Sequence, residues 1–165
     1  LQISFRQPLT LTGAANMDVT PNALQPTKKA LPNFFSLKDY YGASLYTISG
    51  GKAVASMATP VTGASKNVFN WYEINSVEFD LSKVSVRGVD ITLEGDNVVN
   101  KEGVYTLAVK NNTLTVEDLN KVNVVCAYNS EVLQSDVTIT VPVSVTYYWG
   151  TLETTATIKV KKADK

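Results

Sequence analysis

The last third of the chain alternates. From Val137 the odd positions are apolar (Val137, Ile139, Val141, Val143, Val145, Tyr147, Trp149), and the even positions between them are nearly all polar (Thr138, Thr140, Pro142, Ser144, Thr146, Tyr148). After Gly150 the phase reverses. Leu152, Ala156, Ile158 and Val160 are now apolar, while Thr151, Glu153, Thr155, Thr157 and Lys159 are polar. A side-chain period of two gives a strand one dry face and one wet face, and a phase reversal at a glycine marks a chain reversal. The segment therefore predicts a long antiparallel hairpin with a solvated face. Pro142 falls on the polar phase. Since proline cannot donate to a ladder, it marks an edge, or a bend where the strand changes sheet.

Upstream the same period recurs in shorter runs. Leu1, Ile3 and Phe5 alternate with polar residues, and Leu45–Ile48 and Ala53–Met57 flank Gly50-Gly51 as a small hairpin. Gly13 to Pro32 and Thr59 to Asn67 read as loop. From Val77 the strand signals become continuous: Val77, Phe79 and Leu81; Val84 and Val86 in the opposite phase; then Val89, Ile91 and Leu93 after a glycine that suits a bulge. Tyr105, Leu107 and Val109 lead through Lys110-Asn111-Asn112 into Leu114 and Val116, and Val122, Val124, Cys126 and Tyr128 follow. Asn111-Asn112-Thr113 fits the glycosylation pattern but reads as a hairpin turn. Strands at this spacing predict an all-β, antiparallel, Greek-key sandwich of the immunoglobulin-like kind. It is expected over residues 77–165, with a β-rich, loop-heavy region or small domain over 1–76. No window carries a helical period, and Val116 to Val122 has room for a single turn.

Composition narrows the chemistry. Lys plus Arg equals Asp plus Glu at 15 each, so no charge imbalance points to nucleic acid or an anionic membrane as a partner. No apolar run approaches the ~18 residues that a membrane-crossing helix needs. Only 18% of residues are charged, and the balance has gone to Thr, Ser, Asn and Val, as in extracellular β domains. A first residue of Leu rather than Met is expected of a trimmed product. There is no histidine, so the commonest general base and metal ligand is missing, and the single cysteine cannot form an internal disulfide. Cys126 stands in phase with Val122 and Val124, as a small core residue would, and no Gly-x-Ser-x-Gly elbow occurs. An enzyme is not expected.

Two sets of residues remain as candidate sites. Glu94, Asp96 and Glu102, with Asn97 and Asn100 between them, offer oxygen ligands in one loop. A rigidifying Ca²⁺ is the metal such a set would take, although the spacing fits no EF-hand and the simpler reading is a solvated hairpin loop between Leu93 and Val104. The aromatic side chains cluster at Phe69-Trp71-Tyr72, Tyr147-Tyr148-Trp149 and Tyr40-Tyr41. Neighbours on a strand face opposite ways, so one of Trp71/Tyr72 and one of Tyr147/Tyr148 should face outward. Trp71, Tyr72, Tyr148 and Trp149 are thus the candidate platforms for a ligand such as a sugar ring. Core or interdomain packing is the competing role of the same residues.

Leu114-Thr115-Val116-Glu117-Asp118-Leu119 before Val124-Val125-Cys126, and the Thr/Val-rich hairpin ending Thr157-Ile158-Lys159-Val160-Lys161, carry a resemblance. Over residues 77–162 the chain resembles the immunoglobulin-like domains of secreted and lipid-anchored surface proteins of gut bacteria. The antibody-type bridge has no second cysteine here, and Val124 stands where the tyrosine corner would be, so the likeness is to the broader sandwich class. It implies an extracytoplasmic module at a bacterial cell surface, working in spacing, assembly or adhesion, with other surface domains or proteins, and glycans, as partners. Two rival roles differ in class: a carbohydrate-binding module using the aromatic side chains, and a pilus-type subunit in which Leu1–Phe5 or Val137–Val145 completes a neighbour's open edge.

Overall fold

The terminal alternation produces the longest elements of the fold. In the computed structural model, which describes residues 8–13, 27–55, 72–82, 89–107, 114–128 and 136–160, Val137–Tyr147 and Gly150–Val160 pair antiparallel in unbroken register from Val137↔Val160 to Tyr147↔Gly150. Tyr148 and Trp149 form the turn itself, and the positive φ falls on Gly150 at 116°, where only glycine sits without strain. The apolar phase is buried as the alternation requires: Ile139, Val141, Val143, Val145, Tyr147, Ala156, Ile158 and Val160 all face the core.

Twelve strands occur among the described residues. They are β1 (Thr10–Gly13), β2 (Thr27–Ala30), β3 (Phe35–Lys38), β4 (Tyr46–Ser49), β5 (Lys52–Ala55), β6 (Ser76–Asp80), β7 (Val89–Glu94), β8 (Val98–Lys101), β9 (Val104–Leu107), β10 (Asn123–Tyr128), β11 (Val137–Tyr147) and β12 (Gly150–Val160). A 3-10 turn, Leu31–Phe34, follows β2, and a single short helix, α1 (Val116–Asn120), precedes β10. All pairings are antiparallel. One sheet runs β12-β11-β6-β9-β8, a second runs β2-β10-β7, and β1-β3 and β4-β5 form two-stranded ribbons.

This is an immunoglobulin-like Greek key. In that class one sheet runs A-B-E-D and the other C-F-G. Here β6, β9 and β8 stand in the order B-E-D, and β7 and β10 stand as C and F. The two outer places are filled from unexpected parts of the chain. β11, late in the sequence, holds the A place beside β6, and β2, from the beginning, holds the G place beside β10 through Asn123↔Ala30 to Cys126↔Thr27. Between the sheets, Val77, Phe79, Tyr105, Leu107, Val143 and Val145 meet Leu93, Val124 and Cys126 in one continuous core. Leu31, Phe34, Phe35, Leu37 and Leu45 belong to that same core, with Phe34 edge-on to Phe79 at 6.1 Å between centroids. Burying a side chain of this size contributes about 1.5–3 kcal/mol.

Several expectations are refined by contacts distant in sequence. β11 stays in one sheet through Pro142, and what ends there is its pairing with β6. That ladder covers Val143↔Phe79 to Thr146↔Ser76, and Asp80, next in line to face Pro142, is paired in the ladder with Val104 on its other side. The stretch expected as a loop between Leu93 and Val104 contains β8, an edge strand hydrogen-bonded to β9 with mostly exposed side chains. Val116 is helical rather than extended, because Thr115 and Asp118 form a capping box. The Asp118 amide donates to Thr115 Oγ1 at 3.1 Å, and the Thr115 amide donates to Asp118 Oδ2 at 2.9 Å. Asn120 then holds the β4–β5 hairpin, its Nδ2 donating to Ala53 O and its Oδ1 accepting from Ala53 N, both at 2.8 Å. The expected strand at Leu1–Phe5, the Val84/Val86 run and the Asn111-Asn112-Thr113 turn lie outside the described residues.

Candidate functional site

The ladder between β1 and β3 begins the geometry of the site. Thr10 pairs with Lys38, so the next residues outward, Leu9 and Asp39, lie at the same end of the ribbon. The Leu9 amide donates to the Tyr147 hydroxyl at 3.0 Å in a buried bond, which ties this ribbon to the last residue of β11. One position on, the Tyr148 amide donates to Tyr72 O at 2.9 Å. Asp39, Leu9, Tyr147, Tyr148 and Tyr72 therefore meet at one end of the molecule, brought there from four separate parts of the chain.

Asp39 is the buried polar residue of this end, 2% exposed. Its Oδ1 accepts from the Tyr41 amide at 2.9 Å and the Ala43 amide at 2.8 Å, and its own amide donates to Ala43 O at 2.7 Å, which folds Asp39-Tyr40-Tyr41-Gly42 into a tight turn. Its Oδ2 is buried, as is the Tyr72 hydroxyl, and neither has a hydrogen-bond partner among the described residues. Burial pushes the Tyr72 phenol above its ordinary range, and the negative field of Asp39 adds to it, followed by Tyr147 and Tyr41. Two exposed aromatic pairs belong to the two turns at this end, one to the Asp39–Gly42 turn and one to the β11–β12 turn. Tyr40 and Tyr41 meet edge-on at 5.4 Å between centroids, and Tyr148 and Trp149 meet edge-on at 6.3 Å.

Of the residues singled out by sequence, Tyr148 and Trp149 are exposed on the hairpin turn, while Tyr147 is buried, as alternation demands of that pair. Tyr72 is fully buried, so its ring offers no outward platform. Trp71 lies outside the described residues. Tyr40 and Tyr41 complete the exposed set. Their doublet is visible in the sequence, but its placement at the same end as Tyr147 depends on the β1–β3 register and on the Leu9–Tyr147 bond, between residues 138 positions apart.

Glu94, Asp96 and Glu102 are not brought to a common point. Glu94, at the end of β7, reaches across β10 to Lys28 on β2, with Nζ to Oε1 at 2.8 Å. Asp96 lies in the turn before β8 and Glu102 in the turn after it, separated by the strand's four residues, roughly 13 Å of extended chain. Among the described residues no group of three or more His, Cys, Asp or Glu side chains converges as a metal site would need. Cys126 is buried between the sheets, and its thiol is pushed up to about 11 by burial first and by Asp90 second. Such a thiol carries little thiolate at neutral pH. A shallow open depression is lined by Pro142, Val143, Ser144, Glu153, Thr154 and Thr155 on the terminal hairpin. No helix among the described residues is long and apolar enough to cross a membrane.

No family model and no curated protein matches this chain. Among solved structures it is similar to the crystal structure of AggA, the major subunit of aggregative adherence fimbriae type I from Escherichia coli. The identity is 12%, the alignment covers 99% of both chains, and the TM-score is 0.44.

Proposed function

We propose that this chain is a non-enzymatic module of a bacterial surface protein, acting outside the cytoplasm as a rigid element in assembly or adhesion. The observation that carries this reading is the β11–β12 ribbon. Eleven residues on each strand are paired without interruption, roughly 36 Å of stiff hairpin, with exposed Tyr148 and Trp149 at its turn. A ribbon of this kind, backed along its apolar phase by the core, presents its tip at a fixed distance and angle. The groups available for chemistry serve structure instead: the Asp39 carboxylate holds a turn, and Cys126 fills the core. The test is antibody labelling of intact, unpermeabilised cells of the source bacterium, compared with a strain in which this segment is deleted from its gene. Labelling of intact cells, and loss of attachment or surface assembly in the deletion strain, are expected. Labelling only after permeabilisation would overturn the reading.

A second reading, a pilus-type subunit assembling by strand donation, draws on β2. The G place is held by four residues, Thr27–Ala30, which among the described strands pair with β10 at the sheet's edge. A strand so short and so placed is the kind that a neighbour's equivalent strand replaces. In this reading a chain lacking residues 1–30 would recover its stability on addition of a peptide spanning Gln25–Pro32, and the full chain would form SDS-resistant oligomers. A strictly monomeric full chain, with the truncated form unable to bind the peptide, would remove this reading and leave the first intact.

A further inference from the structure

Four large aromatic side chains are exposed on two turns at the end of the molecule that holds Asp39 and Tyr72. Tyr40 and Tyr41 are 60% and 65% exposed, and Tyr148 and Trp149 are 53% and 58% exposed. Asp39 belongs to the first turn and Tyr72 accepts from the Tyr148 amide of the second, and Asp39 Oδ2 and the Tyr72 hydroxyl are each buried and without a partner among the described residues. The hydrogen bonds from Leu9 to Tyr147 and from Tyr148 to Tyr72, with the β1–β3 register, bring both aromatic pairs to this one end.

We propose that this end of the molecule is a saccharide-binding site, in which the C–H faces of pyranose rings stack on Tyr41 and Trp149 and sugar hydroxyls bond to Asp39 Oδ2 and the Tyr72 hydroxyl once the Tyr41 ring turns aside. Three features favour a sugar over a protein surface. First, the exposed large side chains here are all Tyr and Trp; the exposed aliphatic ones, Ile48 and Val54 on the β4–β5 hairpin and Val99 on β8, stand on other elements. Flat amphipathic rings suit a ligand that has one apolar face and a polar rim. Second, within each pair the rings stand nearly perpendicular, at 86° and 77°, so one ring offers its face while the other walls its edge. Third, the buried pair supplies an acceptor and a hydroxyl that both accepts and donates, the groups that distinguish one sugar hydroxyl from another by leaving themselves unpaired when it is absent. Tyr41 is the natural gate. It is the most exposed of the four rings, and its amide stays fixed to Asp39 Oδ1 whatever its side chain does.

The test is a glycan array spanning plant, fungal, host and bacterial polysaccharides. It is followed by affinity electrophoresis in the polysaccharide giving the strongest signal, using the intact chain and the variants Tyr41→Ala, Trp149→Ala, Asp39→Asn and the fourfold ring variant. Each ring truncation should weaken retardation about threefold to tenfold, the usual worth of one aromatic contact, with thermal unfolding unchanged because the rings are exposed. Asp39→Asn keeps an oxygen for the turn amides and should weaken binding with the fold retained. No binding anywhere on the array would overturn the proposal, as would retardation that survives in the fourfold variant. Loss of self-association in sedimentation by the ring variants, without any glycan bound, would assign this end to a second copy of the chain and would equally overturn it. None of these results bears on whether the module stands at the cell surface, which the labelling experiment decides.

Discussion

Gly13 offers the sharpest test of how the beginning of the chain meets its end. β1 passes so close to β12 that a Cβ built on Gly13 would stand 1.7 Å from Thr155 O and 2.6 Å from Thr155 C, both backbone atoms. Real Cβ contacts essentially never fall under 3.0 Å, so Gly13→Ala must drive the two strands apart by about 1.3 Å. Gly13 does not have the positive φ of Gly42 or Gly150, so the penalty is steric. The displacement breaks the bond from the Gly13 amide to Thr154 Oγ1, now 3.0 Å, which costs about 1 kcal/mol. Forcing atoms into a packed site costs about 1–3 kcal/mol more. A destabilisation near 3 kcal/mol lowers the midpoint of a chain this long by about 6–12 °C. Thermal unfolding followed by circular dichroism measures it, with Gly42→Ala as the control. Gly42 has φ +87° and nothing within 4 Å of its Cβ position, so alanine there should cost only the backbone strain of roughly 1 kcal/mol. A Gly13→Ala midpoint within about 2 °C of the parent would show that β1 does not lie against β12, and the argument would fall.

Asp39→Ala should destabilise by about 2–4 kcal/mol in urea unfolding, because the Tyr41 and Ala43 amides both lose their acceptor, whereas Asp39→Asn should cost clearly less. Cys126 makes alkaline stability pH-dependent. Its folded pKa, about 11, exceeds the ordinary 9.0, so the folded state holds the proton longer; that stability is complete below pH 9 and is lost as pH rises to 11, about 2–3 kcal/mol in all. Urea midpoints of the parent should therefore fall more steeply than those of Cys126→Ala across that interval, and parallel slopes would refute the assignment. Lys28→Met should change stability by less than about 0.5 kcal/mol in 0.15 M salt, since the Lys28–Glu94 pair is half-exposed on both sides; a loss above about 1 kcal/mol would mean the pair is more than a surface contact.

Period two carried most of the sheet. β6, β10, β11 and β12 fall where Val77/Phe79, Val124/Cys126 and the terminal alternation put them, because one buried face forces apolar residues to every second position. β2 and β8 escaped notice for the opposite reason. Thr-Lys-Lys-Ala and Val-Val-Asn-Lys are edge strands, one half-buried and one mostly exposed, without apolar alternation, and what makes them strands is backbone pairing to β10 and β9, which leaves no mark on side-chain pattern. Thr115-Val116-Glu117-Asp118 read as extended from its apolar positions, yet reciprocal capping won over a β-branched valine. For the candidate site, the aromatic doublets were plain in the sequence, but their convergence on Tyr72 and Asp39 was not, since it depends on the Leu9–Tyr147 bond between residues 138 positions apart.

That bond and its companion from Gly13 to Thr154, 141 positions apart, have a kinetic consequence. The earliest strand of the described chain rests on the last, and β2 finds its partner only when β10 has been made. During synthesis β1 can pair with β3 early, but its contacts with the terminal hairpin wait until that hairpin emerges. Closure is thus deferred to the whole polypeptide and proceeds slowly, as high contact order dictates.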